Sequence, residues 1–284
     1  MKVTSYEFSG NKKDVKYEAF TFSGGEEHIR FKAFDFRDCE KVQITARATN
    51  SSHIMRLLMA VDALKRLCLA RTPIELVLPY FPYARQDRVC VTGEALGAKV
   101  MASLINQLAL DKVTVWDAHS DVVPALLERV ENVEQTTLIS QCPALQQQLQ
   151  CGALTLVSPD AGASKKTLKI AQHFGGEVEV IQAQKVRNLK TGEIVQTQVL
   201  GEVKGKDLLI VDDICDGGRT FTELAKVLKA QGANSIALYV THGIFSQGLG
   251  VFSGLIDTVY TTNSWRDKGD LAEHHDVQLN MIEL

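Results

Sequence analysis

Three carboxylates, Asp212, Asp213 and Asp216, crowd into the stretch LLIVDDICDGGRTF at 208–221, immediately after four apolar residues. The apolar run reads as a buried strand, so the acids fall where that strand gives way to a loop. Burying one ionised carboxylate without compensation is costly, and grouping three adds mutual repulsion. Hydroxyl donors, a metal or solvent must answer that charge. Gly217 and Gly218 can adopt positive φ and bring backbone N–H groups close to a ligand. A helix beginning near Thr220 would turn its positive end toward an anion. A sugar phosphate satisfies both ends, with hydroxyls on Asp212 and Asp213 and phosphate on residues 216–220. The plain alternative is an acidic turn exposed to water. A Walker A loop is excluded, because the Gly-Lys-Ser/Thr ending is missing.

Other segments offer complementary chemistry. PYFPYARQDR at 79–88 places Arg85, Gln86, Asp87 and Arg88 after an aromatic, proline-rich strand end. An arginine presents a bidentate fork to a polyphosphate, and a glutamine can bond a base or an oxygen; a surface ion-pair cluster is the competing reading. WDAHS at 116–120 sets His119 at a strand terminus, and SPDAG at 158–162 repeats the order strand, acid, glycine around Asp160. In FSGGE at 22–26, Phe22 could stack on a base and Glu26 accept from its amino group, or both could be ordinary strand and turn residues. Lys185 and Arg187 in QAQKVRNLKTGEI at 182–194 would point the same way on an extended backbone. Thr191-Gly192 suggests a mobile hairpin there, with a solvated basic strand as the alternative.

The elements that must carry these residues alternate. The first 40 residues read as short strands with a turn at Gly24-Gly25. Asn50 caps a helix whose Ile54, Leu57, Leu58, Val61, Leu64, Leu67 and Cys68 recur at helical spacing, its Leu and Met residues reading as core; Asp62 and Arg66 form an i,i+4 pair on it. Strands at 74–81 and 112–119 enclose a helix at 95–108, and after a glutamine-rich surface helix at 142–150 the alternation begins again. The expected fold is α/β with mainly parallel sheets, in two domains, 1–145 and 146–284. A net charge of -3, from 31 basic and 34 acidic residues, argues against a nucleic-acid binder. Six scattered cysteines without a C-x-x-C pair favour free thiols in a reducing cytoplasm. No apolar run is long enough to suggest membrane spanning or secretion.

VDDICDGGRTF resembles the 5-phosphoribosyl 1-diphosphate signature shared by type I phosphoribosyltransferases and ribose-phosphate diphosphokinases. PYFPYARQDR is similar to the ATP-binding motif of the diphosphokinases, which the phosphoribosyltransferases do not carry. The matches run in family order from about Phe22 to Asn263, so the resemblance covers nearly the whole chain. It implies two tandem type I phosphoribosyltransferase-like domains, each with a mainly parallel central sheet flanked by helices. The first would contribute ATP loops, the second the ribose 5-phosphate loop and a catalytic flexible loop.

The implied reaction moves the β,γ-diphosphoryl group of ATP to the C1 hydroxyl of D-ribose 5-phosphate. By resemblance, Phe22, Glu26, Arg85, Gln86, Asp87 and His119 bind ATP. Asp212, Asp213, Asp216, Gly217, Gly218, Arg219 and Thr220 bind ribose 5-phosphate, and Lys185 and Arg187 are catalytic. Mg2+ is held by His119 and Asp160, Asp117 orients the loop, and His242 in THGIFS supports the substrate loop. The resemblance also implies a homo-oligomer in which FSGGE reaches a neighbour's adenine pocket; dimers joined into a hexamer are common among relatives. Gly24 stands where the family has an acid, Val186 where it has an arginine, and Arg219 where it has a small residue. A type I phosphoribosyltransferase and a non-catalytic regulatory diphosphokinase-like protein are the alternatives.

Overall fold

The computed structural model describes residues 1–175, 178–187, 194–272 and 274–284, with the side chains of 185–187 and 194–197 left aside. The chain divides into two units, Met1–Val133 and Glu134–Leu284. The expected boundary at 145/146 falls instead inside a helix of the second unit. Leu145 and Leu149 on that helix are fully buried with Ile139 and Leu156, so core packing draws the whole segment into the second unit.

The first unit comprises β1 (Lys2–Glu7), β2 (Lys12–Asp14), β3 (Tyr17–Thr21), β4 (Glu27–Phe31), β5 (Cys39–Thr45), α1 (Ser51–Leu67), β6 (Ile74–Leu78), α2 (Gly97–Gln107), β7 (Lys112–Trp116), α3 (Val122–Leu126) and β8 (Val130–Val133). Its six-stranded sheet has the order β2-β1-β5-β6-β7-β8. The β5 to β8 ladder is parallel, and β1 and β2 are antiparallel additions. β3 and β4 form a separate hairpin. Asn50 caps α1 as its position implies, accepting the His53 N–H at 2.8 Å. Ile54, Leu57, Val61 and Leu64 are buried under it. Two expectations fail on this helix: Met55 and Leu67 are about half exposed, 49% and 50%, because they lie off the stripe that meets the sheet.

The second unit comprises α4 (Gln135–Ile139), α5 (Pro143–Gln150), β9 (Thr155–Ser158), α6 (Ala161–Phe174), β10 (Val180–Arg187), β11 (Ile194–Leu200), β12 (Asp207–Cys215), α7 (Arg219–Ala230), β13 (Ser235–Gly243), β14 (Thr258–Thr262) and β15 (Gln278–Ile282). Its seven described strands are ordered β11-β10-β9-β12-β13-β14-β15, parallel except for the β10/β11 pair. β12 is buried on both faces. Leu208 and Ile210 join the core with Phe221 and Leu224 of α7, while Leu209 and Val211 join the core with Ile170 and Phe174 of α6. That is why the strand reads as a continuous apolar run rather than an alternating one.

Successive parallel strands lie on opposite sides of β9, with β10 on one side and β12 on the other. Such a reversal opens a crevice beyond the carboxyl ends of β9 and β12, the usual ligand position in open α/β sheets. The two conspicuous acidic segments, at Asp160 and at Asp212 to Asp216, follow or finish these two strands.

Candidate active site

The acidic cluster of the second unit separates into parts. Asp213 is buried, with 5% of its surface exposed, whereas Asp216 is exposed in the loop. The Asp213 N–H donates to Asp212 Oδ1 at 2.9 Å, tying the Asp212 carboxyl to the strand end. Burial, then the adjacent Asp213, then Asp160, push the Asp212 carboxyl well above the usual carboxylate range. Lys166 of α6 brings its ammonium within 3.8 Å of Asp213 Oδ2. From the other direction, the Gln135 amide donates to the Asp212 carbonyl at 2.8 Å and to Thr241 Oγ1 at 3.3 Å.

The glycine turn is fastened on both sides. Gly218 has φ 80 and stands at the N-cap of α7, where no side-chain cap hydrogen bond is made. A Cβ there would come within 3.0 Å of the Phe252 ring and 3.2 Å of Val251. Gly217 does not take positive φ; the expectation for the pair holds at Gly218 alone, because one left-handed residue suffices to turn the chain into α7. Beneath, Ile244 and Phe245 donate backbone N–H groups to the Cys215 carbonyl at 2.9 and 3.1 Å, and Ser246 donates to the Asp216 carbonyl at 3.0 Å. Gly243 is required at the start of this clasp: a Cβ would lie 2.2 Å from the Phe245 ring and 2.7 Å from Thr261 Oγ1. Arg219 is exposed at the first position of α7 and Thr220 half-buried at the second. The first-turn N–H groups of a helix are unsatisfied within it, so this end suits an anion.

His242 is no exposed base. It is buried, its Nδ1 2.8 Å from Ser264 Oγ, and Ser264 in turn donates to the Thr241 carbonyl at 3.0 Å. A hydroxyl has one proton to give, so the His242 Nδ1–H is the donor in the first bond. The histidine braces the ends of β13 and β14. Burial raises the Cys215 thiol far above its ordinary range, leaving it protonated and unreactive.

Asp160 serves as the N-cap of α6, its Oδ1 accepting from Gly162 at 3.0 Å and Ala163 at 3.2 Å. Among the described residues no three His, Cys, Asp or Glu side chains converge on a metal position. The donors beyond β9 and β12 are nonetheless carboxylate oxygens, and burial first, with their crowding second, raises Asp212. They fit a hard cation that takes one or two protein ligands and the rest from phosphates and water. Lys185 and Arg187 both lie on the extended backbone of β10, whose ladder with β11 shifts register between Val186 and Arg187. Their side chains, and the expected Thr191-Gly192 turn, lie outside the described residues.

In the first unit the candidates sit on two structures. β6 ends at Leu78, and the chain turns through Tyr83, φ 62, with Phe81 and Ala84 buried as anchors and Arg85 exposed beyond them. The Gln86 carbonyl accepts the Ala98 N–H at 3.1 Å, which helps close the start of α2 where Leu96 has no side-chain cap to offer. Asp87 and Arg88 approach within 3.6 Å. His119 follows β7, the parallel neighbour of β6, after a left-handed Asp117 of φ 41, so the segments carrying Arg85 and His119 both follow carboxyl ends of adjacent strands. Phe22 and Glu26 are exposed on the β3–β4 hairpin, where Phe22 packs edge-on against Phe20 with centroids 4.8 Å apart. Glu27 anchors that hairpin through Arg56 of α1 at 2.9 Å and Thr21 at 2.9 Å. His119 and Asp160, the residues expected to share a metal, belong to different units.

Two residues of the second unit have no signal in the sequence. Lys166 reads as one of several lysines on a helix face, and Gln135 as a surface polar residue; their partners are 47 and 77 positions away.

Residues 10–108 match the N-terminal domain of ribose phosphate pyrophosphokinase, and residues 138–248 match the phosphoribosyl transferase domain. A ribose-phosphate pyrophosphokinase of Rhizobium meliloti is 31% identical over 241 residues, 84% of this chain and 75% of the relative. One from Mycoplasmopsis pulmonis is 32% identical over 242 residues, 84% of this chain and 73% of the relative. A third, from Mesorhizobium japonicum, is 33% identical over 208 residues; the match spans 73% of this chain and 65% of that relative's length. The crystal structure of phosphoribosylpyrophosphate synthetase from Mycobacterium smegmatis superposes with a TM-score of 0.78 at 26% identity, covering 94% of this chain and 86% of the other. With both domain types present in this order and relatives matched over most of their length, the chain belongs to the ribose-phosphate pyrophosphokinase family.

Proposed function

We propose that this chain transfers the β,γ-diphosphoryl group of ATP to the C1 hydroxyl of D-ribose 5-phosphate, giving 5-phospho-α-D-ribose 1-diphosphate and AMP. The observation that carries the reading is the fastened Gly218 turn beside the Asp212/Asp213 pair, in a chain whose first unit matches the pyrophosphokinase N-terminal domain. A phosphoribosyltransferase would use the turn and the acids but would leave Arg85 and Gln86 without a task.

In this reading Asp212 and Asp213 accept the ribose hydroxyls, and the turn from Asp216 through Gly217, Gly218 and Arg219 to Thr220 takes the 5-phosphate on the N-terminus of α7. The C1 oxygen attacks the β-phosphorus as the bond from that phosphorus to the α-phosphate oxygen breaks. AMP leaves with the bonding pair, and the hydroxyl proton passes to solvent. Arg85, Gln86 and Asp87 hold the triphosphate in line, and Lys185 and Arg187 face the charge redistributed over the β-phosphate. Mg2+ held by His119 and Asp160 would neutralise phosphate charge; the capping bonds of Asp160 leave that residue with a structural duty as well. Phe22 and Glu26 recognise adenine in a neighbouring copy, so the working form is a homo-oligomer of shared sites, with dimers joined into a hexamer the arrangement to test first. The setting is the cytoplasm.

The test is to incubate purified protein with ATP, ribose 5-phosphate and Mg2+ and follow both products. AMP and the diphosphorylated sugar are expected in equal amounts; neither appearing across a broad phosphate and Mg2+ screen overturns the reading. Lys185→Ala is expected to lower turnover by about 100-fold or more with little change in either KM, the pattern of an interaction made in the transition state. An unchanged turnover removes Lys185 from that role.

A further inference from the structure

The acid pair has a cation of its own. Lys166 lies six positions after Asp160 on α6, and its ammonium is 3.8 Å from Asp213 Oδ2. The Asp213 side chain is 8% exposed and that of Lys166 27%, so both are largely withdrawn from water. The alternation of β12 explains the meeting: Leu209 and Val211, four and two residues before Asp213, belong to the core beneath α6, which brings Asp213 up on the same face. Two adjacent, poorly solvated carboxylates repel, and a nearby cation is one of the few ways to hold them together. The ammonium meets Asp213, so its influence falls on the hydroxyl end of the sugar site.

We propose that Lys166 is a positioning residue for the sugar hydroxyls. It holds Asp213 against the α6 face, and the Asp213 N–H in turn holds the hydroxyl-accepting carboxylate of Asp212. This rests on the assignment of Asp212 and Asp213 as acceptors of ribose hydroxyls. The ligand class that senses Lys166 is therefore a pentose phosphate with its hydroxyls intact, whereas nucleotide and phosphate binding are indifferent to it.

The experiment compares ribose 5-phosphate with 2-deoxyribose 5-phosphate by calorimetric binding to the full chain, and measures both KM values by turnover. Wild-type protein is expected to favour the ribose compound. Lys166→Met is expected to weaken ribose 5-phosphate binding about tenfold and leave the deoxy compound and the ATP KM within a factor of two, and Lys166→Arg to restore most of the difference. A Lys166→Met protein that discriminates as well as wild type overturns the inference while leaving the proposed reaction intact. A wild-type protein that does not distinguish the two sugars overturns the hydroxyl assignment itself. Should Lys166→Met fail to fold by circular dichroism, the double variant Lys166→Met, Asp213→Asn decides. Restored folding is expected because the buried charge is gone, and a double variant as unstable as the single one overturns the pairing.

Discussion

The two sheets end differently. In the first unit the parallel strands β5, β6, β7 and β8 lie side by side in chain order, whereas in the second the order reverses at β9. A ladder laid down in chain order offers no crevice between diverging connections, so Arg85 and Gln86 project from surface loops. At the reversal, Lys166 meets Asp213, Gln135 holds the Asp212 carbonyl, and the 244–246 clasp fastens Cys215 and Asp216 just beyond them. One unit presents its polar groups to whatever arrives, and the other pre-forms a seat. Preorganisation lowers the ordering cost of binding, and in the proposed reaction the rigid side is the one that orients the sugar.

The comparison is tested most severely at two glycines. Gly243→Ala sets a Cβ 2.2 Å from the Phe245 ring within the clasp, and overpacking of that kind is expected to cost about 3 kcal/mol in urea denaturation. Gly97→Ala meets the Gln86 Oε1 at a similar 2.3 Å and its Cβ and Cδ at 3.0 Å, but the outer part of this exposed side chain can swing away, and a smaller loss of about 1 kcal/mol is expected. Equal losses would break the contrast between a rigid and a yielding site.

A middle-sized effect concerns pH. The Asp212 carboxyl has a folded-state pKa raised to about 8 from 3.8. The folded protein therefore binds more protons than the unfolded chain between those values, and stability falls as pH rises through that window. The thermal midpoint of wild-type protein is expected to drop from pH 6 to pH 9 by several degrees more than that of Asp212→Asn. Parallel pH curves for the two proteins would show that the pair is not strained by its charge.

The smallest effect on stability is expected at Arg85→Ala. Removal of this exposed side chain should change the unfolding free energy by no more than about 0.5 kcal/mol, while the KM for ATP rises about tenfold and that for ribose 5-phosphate holds. A selective loss of sugar binding would contradict the division of labour between the units.

Much of this was legible wherever the relevant residues are contiguous. The acids, the turn and the start of α7 occupy one stretch, so their order along the chain is also their order in space. The core stripe of α1 was legible through Ile54, Leu57, Val61 and Leu64, but period alone could not say that Met55 and Leu67 stand outside the contact with the sheet. Gly217 and Gly218 are chemically equal as letters, and only the place where the helix begins decides which takes the left-handed conformation. Lys166 and Gln135 were illegible because their meaning depends on which strand a helix crosses. The domain boundary was missed for the same reason, since Leu145 declares its allegiance through packing rather than composition.

Gln135 carries a consequence for the order of events during folding. Its amide bonds bridge to Asp212 and Thr241, 77 and 106 residues later. On a chain emerging from its N-terminus, Gln135 cannot complete its pair of bonds until Thr241 of β13 has been made. The proposed sugar seat therefore matures only once these distant segments have met, and contacts of such sequence separation form slowly. A refolding experiment should recover helical signal well before it recovers sugar binding.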